Sequence, residues 1–179
     1  MLDLLITHAT LPDGRQNMSI AVQNGRITEV TEGLQAPAHE TVDAGGLLVS
    51  PPFVDAHFHM DSTLSYGQPR VNESGTLLEG IALWGELKPQ LTHDDIVQRA
   101  LQYCDWAVAR GLLAIRSHVD TSDPSLLPVQ ALLDVKQRVA PYLDLQLVAF
   151  PPAGVLRRQG GLDNPKRALA MGVDGAGGL

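Results

Sequence analysis

Short stretches in which apolar and polar residues alternate recur over the first 50 positions, and this pattern predicts β-strands. Asn24-Gly25 lies between two such stretches, and this dipeptide is typical of a two-residue hairpin turn. The stretches cover residues 4–7, 18–23, 26–30, 41–43 and 47–49. Residues 1–50 are therefore predicted to form a small β-rich module.

After residue 50, apolar runs alternate with segments of helical periodicity. Thr92, followed three residues later by Asp95, is typical of a helix N-cap with a capping box. The alternation favours parallel βαβ units and therefore an α/β fold. The last apolar run fits a sheet covered on both faces. Strands are predicted at 53–57, 112–119 and 143–150, helices at 76–87, 92–110, 126–139 and 164–171, and a further strand from Val173.

His57 and His59 stand one residue apart where the first apolar run after residue 50 ends. Side chains two residues apart point to the same face of a strand, so the two imidazoles converge. Two neutral imidazoles supply half of a site for a divalent transition metal. The alternative is a pair of surface or hydrogen-bonded core histidines. A buried strand end is a costly place for two unpaired polar rings, which favours the ligand interpretation.

Composition narrows the class of protein. With 179 residues, 44% of them hydrophobic and 18% charged, the chain suits a globular protein with a sizeable core. Its net charge of −7 argues against nucleic acid or an anionic membrane as a partner. Cys104 is the only cysteine, and we interpret it as a buried structural thiol. Without a signal-peptide pattern or a long apolar run, we expect a cytoplasmic location.

A series of short motifs gives the chain a family resemblance over about residues 1–174. The motifs are PPFVDAHFH at 51–59, GQP at 67–69, SGTL at 74–77, EGI at 79–81, LTHDD at 91–95, HVD at 118–120, VKQ at 135–137 and DLQ at 144–146. With them the chain resembles the amidohydrolase superfamily and, within it, the bacterial cytosine deaminase family.

The resemblance implies a fold and a reaction. Residues 1–50 would be the N-terminal part of a small β-sandwich module, and residues 51–179 an incomplete metal-dependent hydrolase barrel. This part would hold about strands 1–4 of a (β/α)8 TIM-like barrel, whose site lies at the C-terminal ends of the strands. His57 and His59 would bind one divalent ion, Fe2+ or Zn2+. The reaction would be hydrolysis of an exocyclic C–N bond of a small nitrogen heterocycle by water that the metal activates.

The family's other ligands and its proton-transferring glutamate are expected beyond Leu179, so we expect the printed chain to be truncated and inactive alone. An unclosed sheet edge would make it an oligomer or the complement of another chain. A non-catalytic remnant or a partner-dependent subunit is one alternative. A cyclic amide hydrolase of the same superfamily is another, although residues 60–64 lack the proline and glycine usual in that class.

Several further residues have two interpretations each. Leu77 matches a family residue that lines the substrate pocket, and is otherwise an ordinary core leucine. His118 and Asp120 share a strand face with Arg116; they would support the metal ligands from behind, or form only a strand-end salt bridge. Asp61 is interpreted as structural. Pro152 stands where the family has a glutamine that binds the pyrimidine, so cytosine itself is not assigned as the substrate.

Overall fold

The computed structural model describes residues 1–152, 154 and 161–177. Its contacts divide the chain into two compact units, Met1–Pro51 and Pro52–Leu179.

The first unit is one four-stranded sheet in the order β3-β2-β1-β4. Asn24 and Gly25 both have positive φ angles, 53° and 69°, as the predicted hairpin turn requires. The predicted strand at 47–49 is wrong, because only a single bridge joins Thr10 to Leu48. The sandwich architecture of this module stays a prediction. The strands are β1 (Leu2–Ala9), β2 (Met18–Gln23), β3 (Arg26–Glu32) and β4 (Ala38–Asp43).

The second unit confirms the α/β class. Its described residues form four parallel strands in the order β5-β6-β7-β8, with helices between successive strands. The strands are β5 (Phe53–Phe58), β6 (Leu112–Asp120), β7 (Asp144–Phe150) and β8 (Gly175–Ala176). The helices are α1 (Leu77–Leu87), α2 (His93–Val108), α3 (Leu127–Val139) and α4 (Asp163–Met171).

The core of this unit lies between the sheet and its helices. Helix α2 begins at the predicted capping box, since the Thr92 hydroxyl accepts the Asp95 N–H and the Asp95 carboxylate accepts the Thr92 N–H. The buried faces of α2 and α3 pack on the buried side chains of β6 and β7. Fully buried members of this core include Ile96, Leu132, Val135, Leu147 and Ala149.

Within the described residues, the side chains of β7 alternate between buried and more exposed positions, and coverage of the sheet on both faces stays a prediction. In β7, Leu145 and Leu147 are buried, whereas Gln146 between them is exposed. Strand β5 lies at the sheet edge, and its Phe53 and Val54 are 64% and 68% exposed. An apolar run predicts a strand, but the elements that pack beside that strand determine which of its side chains are buried.

Candidate functional site

The C-terminal ends of β5, β6 and β7 border a cavity of about 940 Å³. Parallel α/β folds place their ligand sites at this end of the strands. The opposite wall is α1, and the loop after β5 closes one side. Imidazole rings and apolar side chains together line the cavity, among them His57, His59, His118, Leu77, Ile81, Trp84 and Phe150.

His57 and His59 both face this cavity, and their ring centroids lie 5.3 Å apart. Phe58 between them stacks on Tyr103 of α2, with ring centroids 4.3 Å apart. The register of β5 on β6 shifts between Asp55 and Phe58, where β5 has one residue more than β6. Such bulges reorient side chains at strand ends. The structure therefore brings the two histidines of the sequence motif together at an open cavity.

A hydrogen bond fixes the proton position on His59. Its Nδ1 lies 3.1 Å from the backbone carbonyl oxygen of His118, which can only accept, so Nδ1 carries the proton. Nε2 is then the nitrogen with a free lone pair. Burial, together with neighbouring His57, lowers the pKa of His59 and so favours the neutral ring. Metal-binding histidines typically donate their other ring N–H to such an acceptor.

His118 lies beside the pair, with its ring centroid 4.2 Å from that of His57 and 5.8 Å from that of His59. Its Nδ1 atom is buried without a hydrogen-bond partner. Burial and the two neighbouring imidazoles lower the pKa of His118. Its backbone carbonyl holds His59, while its own ring borders the cavity.

The donor set fits Zn2+ or Fe2+, both of which accept imidazole nitrogen. His59 has a free Nε2, His57 opens on the same space, and an unpaired His118 nitrogen lies nearby. Within the described part of the chain, no group of three or more His, Cys, Asp or Glu residues is arranged to hold a metal ion. The pair thus offers two of the three protein ligands that a catalytic zinc site commonly has.

Asp120 is buried at the end of β6 and holds α1 in place. Its carboxylate accepts hydrogen bonds from Lys88 Nζ (2.9 Å), from Trp84 Nε1 (2.8 Å) and from the N–H of Ser122 (2.7 Å). Burial opposes its ionisation, but the hydrogen bonds from Ser122 and Lys88 outweigh burial and lower the pKa of Asp120. Arg116 instead donates to Gln146. The salt bridge at this strand end is therefore Lys88–Asp120, with a partner that sequence reasoning missed.

The turn after β5 is anchored on β6. Asp61 is 2% exposed, and its carboxylate accepts the N–H of Asp120 over 2.9 Å. Burial raises the pKa of Asp61 to about 7. The N–H of Met60 donates to the Ser117 hydroxyl over 2.9 Å. This geometry supports the structural interpretation of Asp61. It also shows that Ser117 anchors the turn, which sequence reasoning missed, since the sequence shows only a polar residue inside an apolar run.

Arg99 of α2 anchors the same turn from another side. Its guanidinium donates to the backbone carbonyl of Asp61 over 3.1 Å and to that of Thr63. These contacts join residues that are more than 30 positions apart in the sequence, so no local sequence pattern predicts them.

Two other predicted site residues border the cavity. Leu77 is 78% exposed, so its alternative interpretation as a core leucine is wrong. Pro152 is half-buried and lines the cavity, where it presents a ring without a hydrogen-bond donor. Gly177 follows β8 and lies against Val148 and His118.

Across the described ranges, no helix combines the length and the apolar composition that crossing a bilayer requires.

Comparison with known proteins gives consistent matches. The sequence model of the amidohydrolase family matches residues 40–171. N-isopropylammelide isopropyl amidohydrolase of Pseudomonas sp. strain ADP is 30% identical, over 99% of this chain and 45% of that protein.

Solved structures agree. 5-Methylcytosine deaminase from Klebsiella pneumoniae, liganded with phosphonocytosine, is 41% identical with a TM-score of 0.90, over 97% of this chain and 43% of that one. N-isopropylammelide isopropylaminohydrolase from Burkholderia multivorans is 28% identical with a TM-score of 0.82, over 100% of this chain and 45% of that one. The chain spans less than half the length of these relatives.

Proposed function

The chain belongs to the amidohydrolase family, and from that premise we propose that it forms part of a metal-dependent aminohydrolase. The family and these relatives support a hydrolase that acts on C–N bonds. The proposed reaction removes an exocyclic amino group from a small nitrogen heterocycle. The names of the relatives, a methylcytosine deaminase and an isopropylammelide hydrolase, support this substrate class.

The observation that carries the proposal is the hydrogen bond from His59 Nδ1–H to the His118 carbonyl. It leaves Nε2 of His59 available beside His57, and these two residues would hold one Fe2+ or Zn2+. Such an ion, when bound, supplies a nucleophile from water at neutral pH.

The walls of the cavity suit a flat heterocycle. Leu77, Ile81 and Phe150 offer apolar surface, and the Trp84 N–H is already engaged by Asp120. Because Pro152 offers no donor at its position, we propose that the ring is not recognised there through a hydrogen bond, which leaves the exact base open.

Proton transfer needs a carboxylate that is free to exchange its proton. Asp61 and Asp120 are the two acidic residues that line the cavity, within the part of the chain the structure describes, and both accept hydrogen bonds from protein groups. We propose that they support the site and that another group moves the proton. In this proposal neither His118 nor Asp120 binds the metal. His118 supports the ligand His59 through its backbone carbonyl, and Asp120 supports the cavity wall through its carboxylate.

The metal assignment is tested first. The product of the gene that encodes these residues is purified, loaded with Zn2+ or Fe2+, freed of unbound ions and analysed for metal. His57→Ala and His59→Ala should lose most of the bound metal, whereas His39→Ala, at an exposed position of β4, should keep it. Equal metal content in His57→Ala and in the unaltered protein would rule out the proposed metal site.

The reaction is tested on the loaded protein with cytosine, 5-methylcytosine, isocytosine and creatinine. We expect ammonia release from at least one base, and loss of that activity in His57→Ala. Ring opening of dihydroorotate without ammonia release would assign the cyclic amide alternative. A protein that holds metal but turns over none of these compounds would refute the proposed reaction.

A further inference from the structure

His59 follows the last residue of β5, so pairing within the sheet does not set its orientation. Three consecutive residues are instead held by the end of β6. The His59 ring donates to the His118 carbonyl, the Met60 N–H donates to Ser117 Oγ, and the Asp61 carboxylate accepts the Asp120 N–H.

We infer that Asp61, Arg99 and Ser117 form a clasp that fixes the ring position and the tautomer of His59. The three are positioning residues, since each acts on the backbone or turn that carries His59. The inference rests on the proposed function only where it concerns metal affinity; the tautomer of His59 is a property of the chain itself.

Burial explains why the clasp can impose a single geometry. Ser117 is fully buried and Asp61 nearly so, so a donor or acceptor that lost its partner there could not turn to water. The turn at residues 60–62 therefore has one arrangement in which its buried polar groups are satisfied. That arrangement brings His59 Nδ1 within 3.1 Å of the His118 carbonyl.

Arg99 holds the other side of the turn through the shape of its guanidinium. Two of its nitrogens reach two carbonyl oxygens, those of Asp61 and Thr63. A lysine would offer a single nitrogen at this place and could not span both carbonyls in the same way. The turn is thus held between β6 and α2.

The test compares variants in ring tautomer, zinc affinity and melting temperature. Asp61→Leu and Ser117→Ala remove an acceptor, whereas Asp61→Asn keeps an oxygen that can accept the Asp120 N–H. Val139→Ala is the control, because Val139 is fully buried at the end of α3 that precedes β7. The tautomer is read from the 15N shifts of the imidazole in metal-free protein, and Zn2+ affinity from competition with a chelating dye.

We expect the Nδ1–H tautomer to dominate for His59 in the unaltered protein and in Asp61→Asn. Asp61→Leu and Ser117→Ala should populate the other tautomer and weaken zinc binding about 10- to 100-fold, as is usual when outer partners of a ligand are lost. Val139→Ala should lower the melting temperature and leave both the tautomer and the affinity unchanged.

An unchanged His59 tautomer and an unchanged zinc affinity in folded Asp61→Leu would overturn the clasp. If that variant does not fold, Ser117→Ala and Arg99→Lys decide by the same two measurements. If the unaltered protein binds no zinc, the proposed metal site fails, and the tautomer comparison still decides the clasp.

Discussion

The indole N–H of Trp84 donates to the carboxylate of Asp120 over 2.8 Å and so joins α1 to the end of β6. Helix α1 buries only Leu83 and Leu87, and the apolar face that carries Leu77 is open to the cavity. Its placement therefore depends strongly on Asp120, which also accepts Lys88.

Removing the charge of Asp120 should destabilise the second unit. Asp120→Asn weakens hydrogen bonds from Lys88 and Trp84 at a buried position, and we expect the free energy of unfolding to fall by about 1.5–3 kcal/mol. Urea denaturation followed by tryptophan fluorescence measures it. Asp134→Asn breaks the more exposed Asp134–Arg138 pair and should cost less than about 1 kcal/mol. Equal losses in both variants would contradict the anchoring role of Asp120.

Acid should loosen the loop that leads into α1. Hydrogen bonds from Ser74, with the nearby Arg70 guanidinium, lower the pKa of Glu79 from 4.5 to about 2. A carboxylate whose folded pKa is depressed stabilises the fold above its unfolded pKa, and this contribution is lost as the pH falls through the folded value. The unaltered protein should therefore exceed Glu79→Gln in stability at pH 6, and the difference should shrink as the pH falls from 4.5 towards 2.

Urea midpoints measured across that pH range provide the readout for Glu79. Glu29→Gln, which removes an exposed carboxylate from β3, serves as the control. A difference between Glu79→Gln and the unaltered protein that stays constant with pH would show that the Glu79 charge contributes nothing.

Cys104 should be nearly inert in the folded protein. Burial raises the pKa of its thiol to about 11 from the usual 9, which lowers the thiolate fraction at pH 8 by about 100-fold. Labelling with a disulfide reagent such as DTNB should be at least that much slower than in 6 M guanidinium chloride. Complete labelling at similar rates in both conditions would show that the thiol is accessible.

A polypeptide of residues 1–179 should self-associate through the exposed edge of its parallel sheet, because unpaired strand edges template further pairing. Val54 lies on edge strand β5 and is 68% exposed; Ile27 lies on edge strand β3 and is 66% exposed. We expect Val54→Lys to shift the protein towards monomer in sedimentation velocity, with little effect from Ile27→Lys. A monomeric unaltered protein, or equal shifts in both variants, would rule out β5 as the contact.

Local signals predicted the local features correctly. Asn24-Gly25 dictates its own positive φ angles, and the Thr92–Asp95 box involves groups only three residues apart. Both features depend on few degrees of freedom along the chain. The His57–His59 spacing also brings the two residues to one cavity, but the orientation of the His59 ring depends on contacts with the distant end of β6.

Features that depend on distant partners escaped prediction. Lys88 meets Asp120 across 32 residues, and Arg99 meets Asp61 across 38. Phe53 and Val54 belong to a predicted apolar strand but lie at a sheet edge and are exposed, because the neighbouring elements decide burial. His118 was singled out for its side chain, whereas its backbone oxygen holds His59, and no residue type encodes a carbonyl contact.

Gly177 sets the width of one corner of the cavity. A Cβ atom there would lie 3.2 Å from Val148 Cγ1 and 3.9 Å from His118 Cδ2, the first closer than side chains normally approach. Even a single methyl group at this position would crowd Val148 and come into van der Waals contact with the His118 ring. The hydrogen of Gly177 thus leaves the Val148 side chain its room beside that ring.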